Sequence, residues 1–211
     1  MRTRTAAALG SVCLVLFLFR NPLALALLRH QQAPVPNAAG EPVQEPTDRQ
    51  PFERAVGSRR YRITPRFQFD HSARVMSSRA YRWGREGALL PEDLALAWGP
   101  VLAPPYAGRL SFSQYSRFFF WRTKDLSLDR GTIVSHTANV HIFPRTGRLK
   151  RAVRAVTKGD LVRLEGFLVD IDGIAGTNFH WGTSTTRADE GPNSCETIYL
   201  ERLTVGERAY E

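Results

Sequence analysis

The first thirty residues contain no acidic side chain, open with Arg2 and Arg4, and run almost without polarity from Ala6 to Phe19. A positive start followed by an apolar stretch of this length is the pattern of a secretory signal, so the rest of the chain is expected to fold outside the cytoplasm or at a membrane. Two readings of the segment stand side by side. Taken as one span, Ala6 to Leu28 exceeds the roughly 20 residues needed to cross a hydrocarbon core, with Arg20 near an interface where its charge can reach water. Taken as a cleaved signal, Ala24-Leu25-Ala26 supplies a small-residue processing site. The first predicts a single-pass inner-membrane protein with a periplasmic domain, the second a soluble periplasmic one.

This segment also changes the meaning of the charge. The whole chain carries 29 basic and 20 acidic residues, a net charge of +9, but four of the arginines lie in the first thirty positions. Without them 25 basic residues face 20 acidic ones, leaving +5, which makes nucleic acid an unlikely partner and leaves an envelope ligand or protein as the expectation. Of the two cysteines, Cys13 lies in the leader, so the exported part holds Cys195 alone. No internal disulfide can then support that part, and its stability has to come from an apolar core. No P-loop, dinucleotide fingerprint, G-x-S-x-G, H-E-x-x-H or paired C-x-x-C occurs, and neither a cofactor nor a metal is expected.

Residues 31–51 carry Pro34, Pro36, Pro42 and Pro46 among small and polar residues, and read as an extended linker. The domain is then expected over 52–211. Short strands are expected at Arg60 to Ile63, Phe67 to Phe69 and Ser72 to Met76, with Pro65 as a break. A helix is expected from Pro91, because proline suits a first helical position and Glu92 and Asp93 complement its positive end. Phe118 to Trp121 reads as a buried strand, or as one rimming a cleft. Ile133 to Phe143 reads as the next strand.

Leu149, Ala152, Val153 and Val156 share one face at helical spacing and predict a short amphipathic helix. From Leu161 to Ile171 the apolar parity changes at Gly166, which predicts a β-bulge there. Asp172-Gly173 is expected to turn, and a last strand is expected over Thr197 to Leu203. Several short strands, a bulge and two short helices predict a mainly β, α+β domain. Its architecture is expected to be a small barrel similar to an oligonucleotide/oligosaccharide-binding barrel, preceded by a membrane helix or signal segment.

Two polar segments are the candidate site. In Ser135 to His141, Asn139 and His141 share a strand face while His136 takes the other, so the histidines do not form a metal pair. Between Trp181 and Glu201, Ser184, Arg187, Asp189, Cys195 and Glu196 surround Gly191-Pro192, as in a binding loop carried on a rigid scaffold. Arg187 could clamp a carboxylate or phosphate, or pair with Asp189 or Glu196 and staple the loop. A hydrolase would use Cys195 or Ser184 as nucleophile with His141 as base, oriented by Asn139. The competing reading is a binding or assembly module whose contacts are Asn139, Trp181, Arg187, Asp189 and Glu196. A third, polyanion binding, would draw on the aromatic run and the basic helix.

The combination HTANVHIFP, then GDLVRLEGFLVDI, then Trp181 with Ser184, Thr186-Arg187, Asp189 and Cys195-Glu196 ahead of Tyr199, resembles a family of uncharacterised exported or membrane-anchored proteins of Gram-negative bacteria. The likeness covers about Tyr61 to Leu203. It departs from the family pattern at Thr183, where a serine is usual, and at Arg145, where a small residue is usual. The resemblance implies an envelope location and a domain extent, and it implies no reaction.

Overall fold

The computed structural model describes residues 31–186, 189, 191 and 193–211. The unit from Ala33 to Glu211 is the folded domain, so the stretch read as a linker packs onto it rather than standing clear. Val43–Pro46 forms strand β1, Ala38 is buried, and Glu41 accepts a hydrogen bond from the Trp98 indole at 2.9 Å. Prolines at an outer edge do not disrupt such pairing, because their missing N–H would face solvent.

The domain is mainly β. Strand β2 (Phe52–Val56) leads into β3 (Arg59–Ala80), one continuous strand where three short ones were expected. One edge of β3 is covered in turn by β2, β1 and β4 (Glu92–Ala97). Pro65 does not end the strand, because the register shifts between Pro65 and Phe67 and absorbs it as an irregularity. After helix α1 (Gly84–Leu89) and β4 come the hairpin β5 (Ser111–Tyr115) and β6 (Phe118–Arg122), then α2 (Arg130–Ser135) and β7 (Thr137–Pro144). Helix α3 (Gly147–Ala155), β8 (Leu161–Ile174), β9 (His180–Trp181), β10 (Glu196–Val205) and β11 (Arg208–Tyr210) complete the chain.

Five strands close a ring in the order β3, β4, β7, β10, β8 and back to β3. Every pair is antiparallel except β7 with β10, and α3 connects β7 to β8. Inside the ring Leu94, Leu96, Val140, Ile142, Leu164, Leu168, Ile198 and Leu200 pack against Leu149 and Val153 of α3. This is the amphipathic helix that the sequence predicts, and Thr146 caps it by accepting from the Leu149 N–H at 3.1 Å. A second apolar cluster lies outside the ring, with Tyr61, Ile63, Phe143, Val169, Ile171 and Tyr199 at its centre.

Several expectations are corrected. The helix from Pro91 is strand β4: Leu94, Leu96 and Trp98 enter the core at period two, and the strand is buried on both faces, so the acids after Pro91 meet protein rather than a helix end. Three helices occur among the described residues rather than two. Ile133 and Val134 belong to α2, where Asp129 caps the first turn by accepting from Thr132 N–H at 2.7 Å. Gly166 carries no bulge. The irregularity lies opposite it, between Leu200 and Arg202 of β10, and Gly166 is needed because a Cβ there would stand 2.1 Å from the Tyr199 carbonyl. The apparent parity change has a different cause. Leu164 and Leu168 face the ring interior, whereas Val169 and Ile171 face the second cluster. Asp172-Gly173 continues β8, and the chain turns instead at Ala175 and Gly176, both at positive φ.

Candidate functional site

Side chains alternate along β4 and β7, so each strand has an inner and an outer face. Asp93 lies opposite His141 and Ala95 opposite Asn139, while Leu94 lies opposite Val140. The leucine and valine enter the core, which places Asp93, Asn139 and His141 together on the outer face of the ring. Strand β10 adds Thr197 beside His141. All four polar residues are buried. What covers them is the β5–β6 hairpin together with Trp181 and Cys195.

The hairpin tip supplies a cation. Arg117 donates through one guanidinium nitrogen to Asp93 Oδ1 at 2.8 Å, and His141 Nδ1 meets the same oxygen at 2.8 Å. The guanidinium carbon lies 3.4 Å from the centroid of the Tyr81 ring and 5.6 Å from that of Trp181, so it makes a cation–π contact with both rings. Burial and the Asp93 charge raise the Tyr81 phenol above its ordinary pKa. The backbone of the tip is held as well: Arg117 N–H donates to the Tyr81 hydroxyl at 3.1 Å, and its carbonyl accepts from Asn139 Nδ2 at 2.9 Å. Asn139 Oδ1 in turn accepts from Gln114 at 2.8 Å.

These contacts offset a local cost. Ser116 and Arg117 have φ of 50° and 71°, the two-residue turn with both central residues left-handed that normally selects glycine or asparagine. Each non-glycine residue so placed costs about 1–2 kcal/mol. A turn of this kind persists only where its surroundings over-determine it, and here the surroundings are Asp93, Tyr81 and Asn139.

Beside this anchor a cleft of about 780 Å³ opens between β6, α2 and the polar loop. Phe118, Phe120 and Trp121 form one wall, Ile133 and Val134 of α2 a second, and Asp189, Cys195 and Glu196 a third. The aromatic run is therefore a cleft rim and not core: Phe118 is 38% and Phe120 47% exposed. Arg130 stands over the Trp121 ring at 5.6 Å.

Of the residues singled out from sequence, Asn139, His141, Trp181 and Cys195 come together at the anchor. Trp181 meets His141 edge-on at 5.0 Å between ring centres and donates its indole N–H to Thr197 at 3.1 Å. Asp189 and Glu196 line the cleft. Ser184 is buried and donates to Asp189 at 2.6 Å, which staples the loop. Arg187 lies outside the described residues. His136 sits at the end of α2 and meets Glu41 at 3.0 Å, apart from His141. Among the described residues no group of three or more metal-ligating side chains converges.

The hydrolase geometry is not assembled. The Cys195 thiol meets Asn139 Nδ2 at 3.5 Å and the Arg117 carbonyl at 3.8 Å, while His141 directs Nδ1 to Asp93. Burial is the main cause that pushes the thiol up to about 11, away from the thiolate a nucleophile needs. Neither Cys195 nor Ser184 is hydrogen-bonded to His141 among the described residues.

Four residues of the anchor are not among those singled out from sequence. Asp93 looked like a helix-start acid, Tyr81 and Gln114 sat in unremarked stretches, and Arg117 looked like the flank of an aromatic run. A cue existed for Arg117: two strand-like segments separated by two residues predict a tight hairpin, and a charged residue at its tip invites the question of what holds it. Comparison with protein-family models, curated proteins and solved structures finds no match for this chain.

Proposed function

We propose that this domain is a binding module of the cell envelope, tethered by its N-terminal segment, with the cleft between β6, α2 and the polar loop as its recognition site. The observation that carries the reading is the combination of a rigidly held hairpin with exposed aromatics on its open side. A strained turn is pinned by buried charge, and Phe118 and Phe120 are left facing solvent beside a cleft whose volume lies in the range typical of ligand sites. The ring order, with its one parallel pair and its helix between the third and fourth strands, is analogous to that of oligonucleotide/oligosaccharide-binding barrels. Those barrels bind on the outer face of their second and third strands and on the loop between their fourth and fifth. The corresponding places here are the Asp93, Asn139 and His141 face, which the hairpin covers, and the Trp181 to Cys195 loop, whose described residues Thr186, Asp189 and Cys195 line the cleft. This is an analogy of fold and supports a location for the site, with no implication for the ligand. No helix among the described residues is long and apolar enough to cross a membrane, and the proposed tether lies before them.

The test is photo-cross-linking in the full chain, produced with its leader in a Gram-negative host and carrying a photoreactive side chain at Phe120. A discrete adduct is expected, lost when Thr137→Trp fills the cleft. Absence of any adduct, or one indifferent to Thr137→Trp, would overturn the reading.

A further inference from the structure

We propose that the cleft receives an extended polypeptide segment, which adds as a third strand to the edge of β6 that pairs with no strand among the described residues. This rests on the cleft being the recognition site and names the chemistry of its ligand. The argument begins with the register of the hairpin. A two-residue turn joins Tyr115 to Phe118 as a hydrogen-bonded pair, so Ser113 with Phe120 and Ser111 with Arg122 are hydrogen-bonded pairs too. Gln114 with Phe119 and Phe112 with Trp121 are the alternate pairs, and their backbone groups point away from the hairpin.

The two outward edges differ. On the β5 side the Gln114 carbonyl accepts from Arg79 at 3.4 Å, and β5 lies against β3. On the β6 side the N–H and C=O groups of Phe119 and Trp121 have no other backbone partner among the described residues, and the cleft is lined by every residue from Phe118 to Arg122. An edge of this kind offers donors and acceptors in the alternation that another extended backbone completes. A sugar chain or a nucleic-acid backbone has no such repeat, and the lining mixes Asp125, Asp189 and Glu196 with Arg122 and Arg130, so the cleft presents no surface of a single sign to a polyanion.

Size selects a single strand over a second folded copy of the domain. Strands stand about 4.8 Å apart, a sheet layer is about 10 Å deep, and each residue advances about 3.3 Å, so five residues of extended chain fill roughly 800 Å³. The cleft holds about 780 Å³ and has walls on both sides of that space. Phe118 and Phe120 project to one face of β6 and Phe119 and Trp121 to the other. The added strand would therefore place alternate side chains against one aromatic pair or the other, and apolar residues are expected at alternate positions of the bound segment.

The probe is a random heptapeptide library displayed on phage and selected against the full chain in detergent micelles. Selected sequences are then synthesised and measured by fluorescence anisotropy. N-methylation of alternate amides is the discriminating step. In one register the methyl groups block the donors aimed at β6, and affinity is expected to drop about tenfold or more for each buried hydrogen bond left unmade. In the other register, affinity is expected to stay within about threefold. On the protein side, Phe119→Pro removes the outward N–H and Phe119→Ala retains it while losing the same ring. The proline variant is expected to bind about tenfold more weakly than the alanine variant. Equal tolerance or equal loss in the two methylation registers would overturn strand addition whatever the stability of Phe119→Pro. In that case Thr137→Trp sensitivity of the same peptides would still support the cleft. Selection yielding no peptide weakened by Thr137→Trp would overturn the polypeptide assignment, while the Phe120 cross-link decides the cleft independently.

Discussion

The two faces of the β4–β7 pair have opposite chemistry on the same backbone. On the inner face Leu94, Leu96, Val140 and Ile142 belong to the apolar core of the ring. One residue away in each case, the outer face carries Asp93, Asn139 and His141, equally buried but under a hairpin and a loop. The inner face holds the ring together without directional contacts. The outer face fixes where the hairpin sits: Asp93 Oδ1 is shared by Arg117 and His141, and Asn139 bonds the Arg117 carbonyl and the Gln114 amide, while Asp93 Oδ2, Gln114 Oε1 and Arg117 Nη2 are buried without a hydrogen-bond partner among the described residues. A domain that needed only stability would gain little from burying such a cluster, since ion pairs taken out of water roughly break even against apolar packing. The cluster is better understood as positioning the aromatic rim of the cleft.

The largest effect expected is at the centre of the outer face. Asp93→Ala leaves the Arg117 guanidinium and His141 without their shared acceptor and should cost about 3–5 kcal/mol in denaturant unfolding. Adding Arg117→Met to Asp93→Ala should recover a substantial part of that loss, whereas a merely additive double variant would mean that the two residues do not act as a pair.

Leu96→Ala on the inner face should cost about 2–4 kcal/mol through lost burial and a residual cavity. The comparison is sharpened by its partner: no polar substitution elsewhere is expected to rescue it, and the cost should be indifferent to salt and pH.

How much of this was legible in the sequence follows the same division. The inner face obeys periodicity, so α3, β8 and β10 were readable from their apolar spacing, as was a mainly β domain, whereas the second apolar cluster outside the ring was not. The outer face obeys pairing between distant segments, and periodicity says nothing of that. Asn139, His141, Trp181 and Cys195 were recognisable because they break the apolar pattern within short polar runs. Asp93 was not, because an acid two residues after a proline has a familiar local explanation, and the partner that overrides it, Arg117, is 24 residues away. The same local habit turned β4 into a helix and left Phe118 to Trp121 open between a buried strand and a cleft rim. Nothing in the run itself shows that Phe118 and Phe120 lie on a partly exposed face.

A smaller effect is expected where an acid intrudes on the inner face. Glu92 lies opposite Ile142, and burial, reinforced by the Asp93 charge, pushes its carboxyl up to about 7 from 4.5. A carboxyl whose folded pKa is raised binds its proton more tightly in the native state, so stability is lost as pH rises through the window between those two values. Glu92→Gln should therefore match wild type below about pH 4.5 and exceed it by on the order of 1 kcal/mol above about pH 7, measured as denaturation midpoints across that range. A variant less stable than wild type at pH 8 would mean that ionised Glu92 has a stabilising partner.

The claim that the outer face exists to hold the hairpin is tested most directly by amide hydrogen exchange in Arg117→Met. The amides of Ser113 and Phe120, which pair across the hairpin, should lose most of their protection, while those of Leu96, Val140 and Ile198 in the ring keep theirs. Unchanged protection at Ser113 and Phe120, with Arg117 gone, would contradict the account.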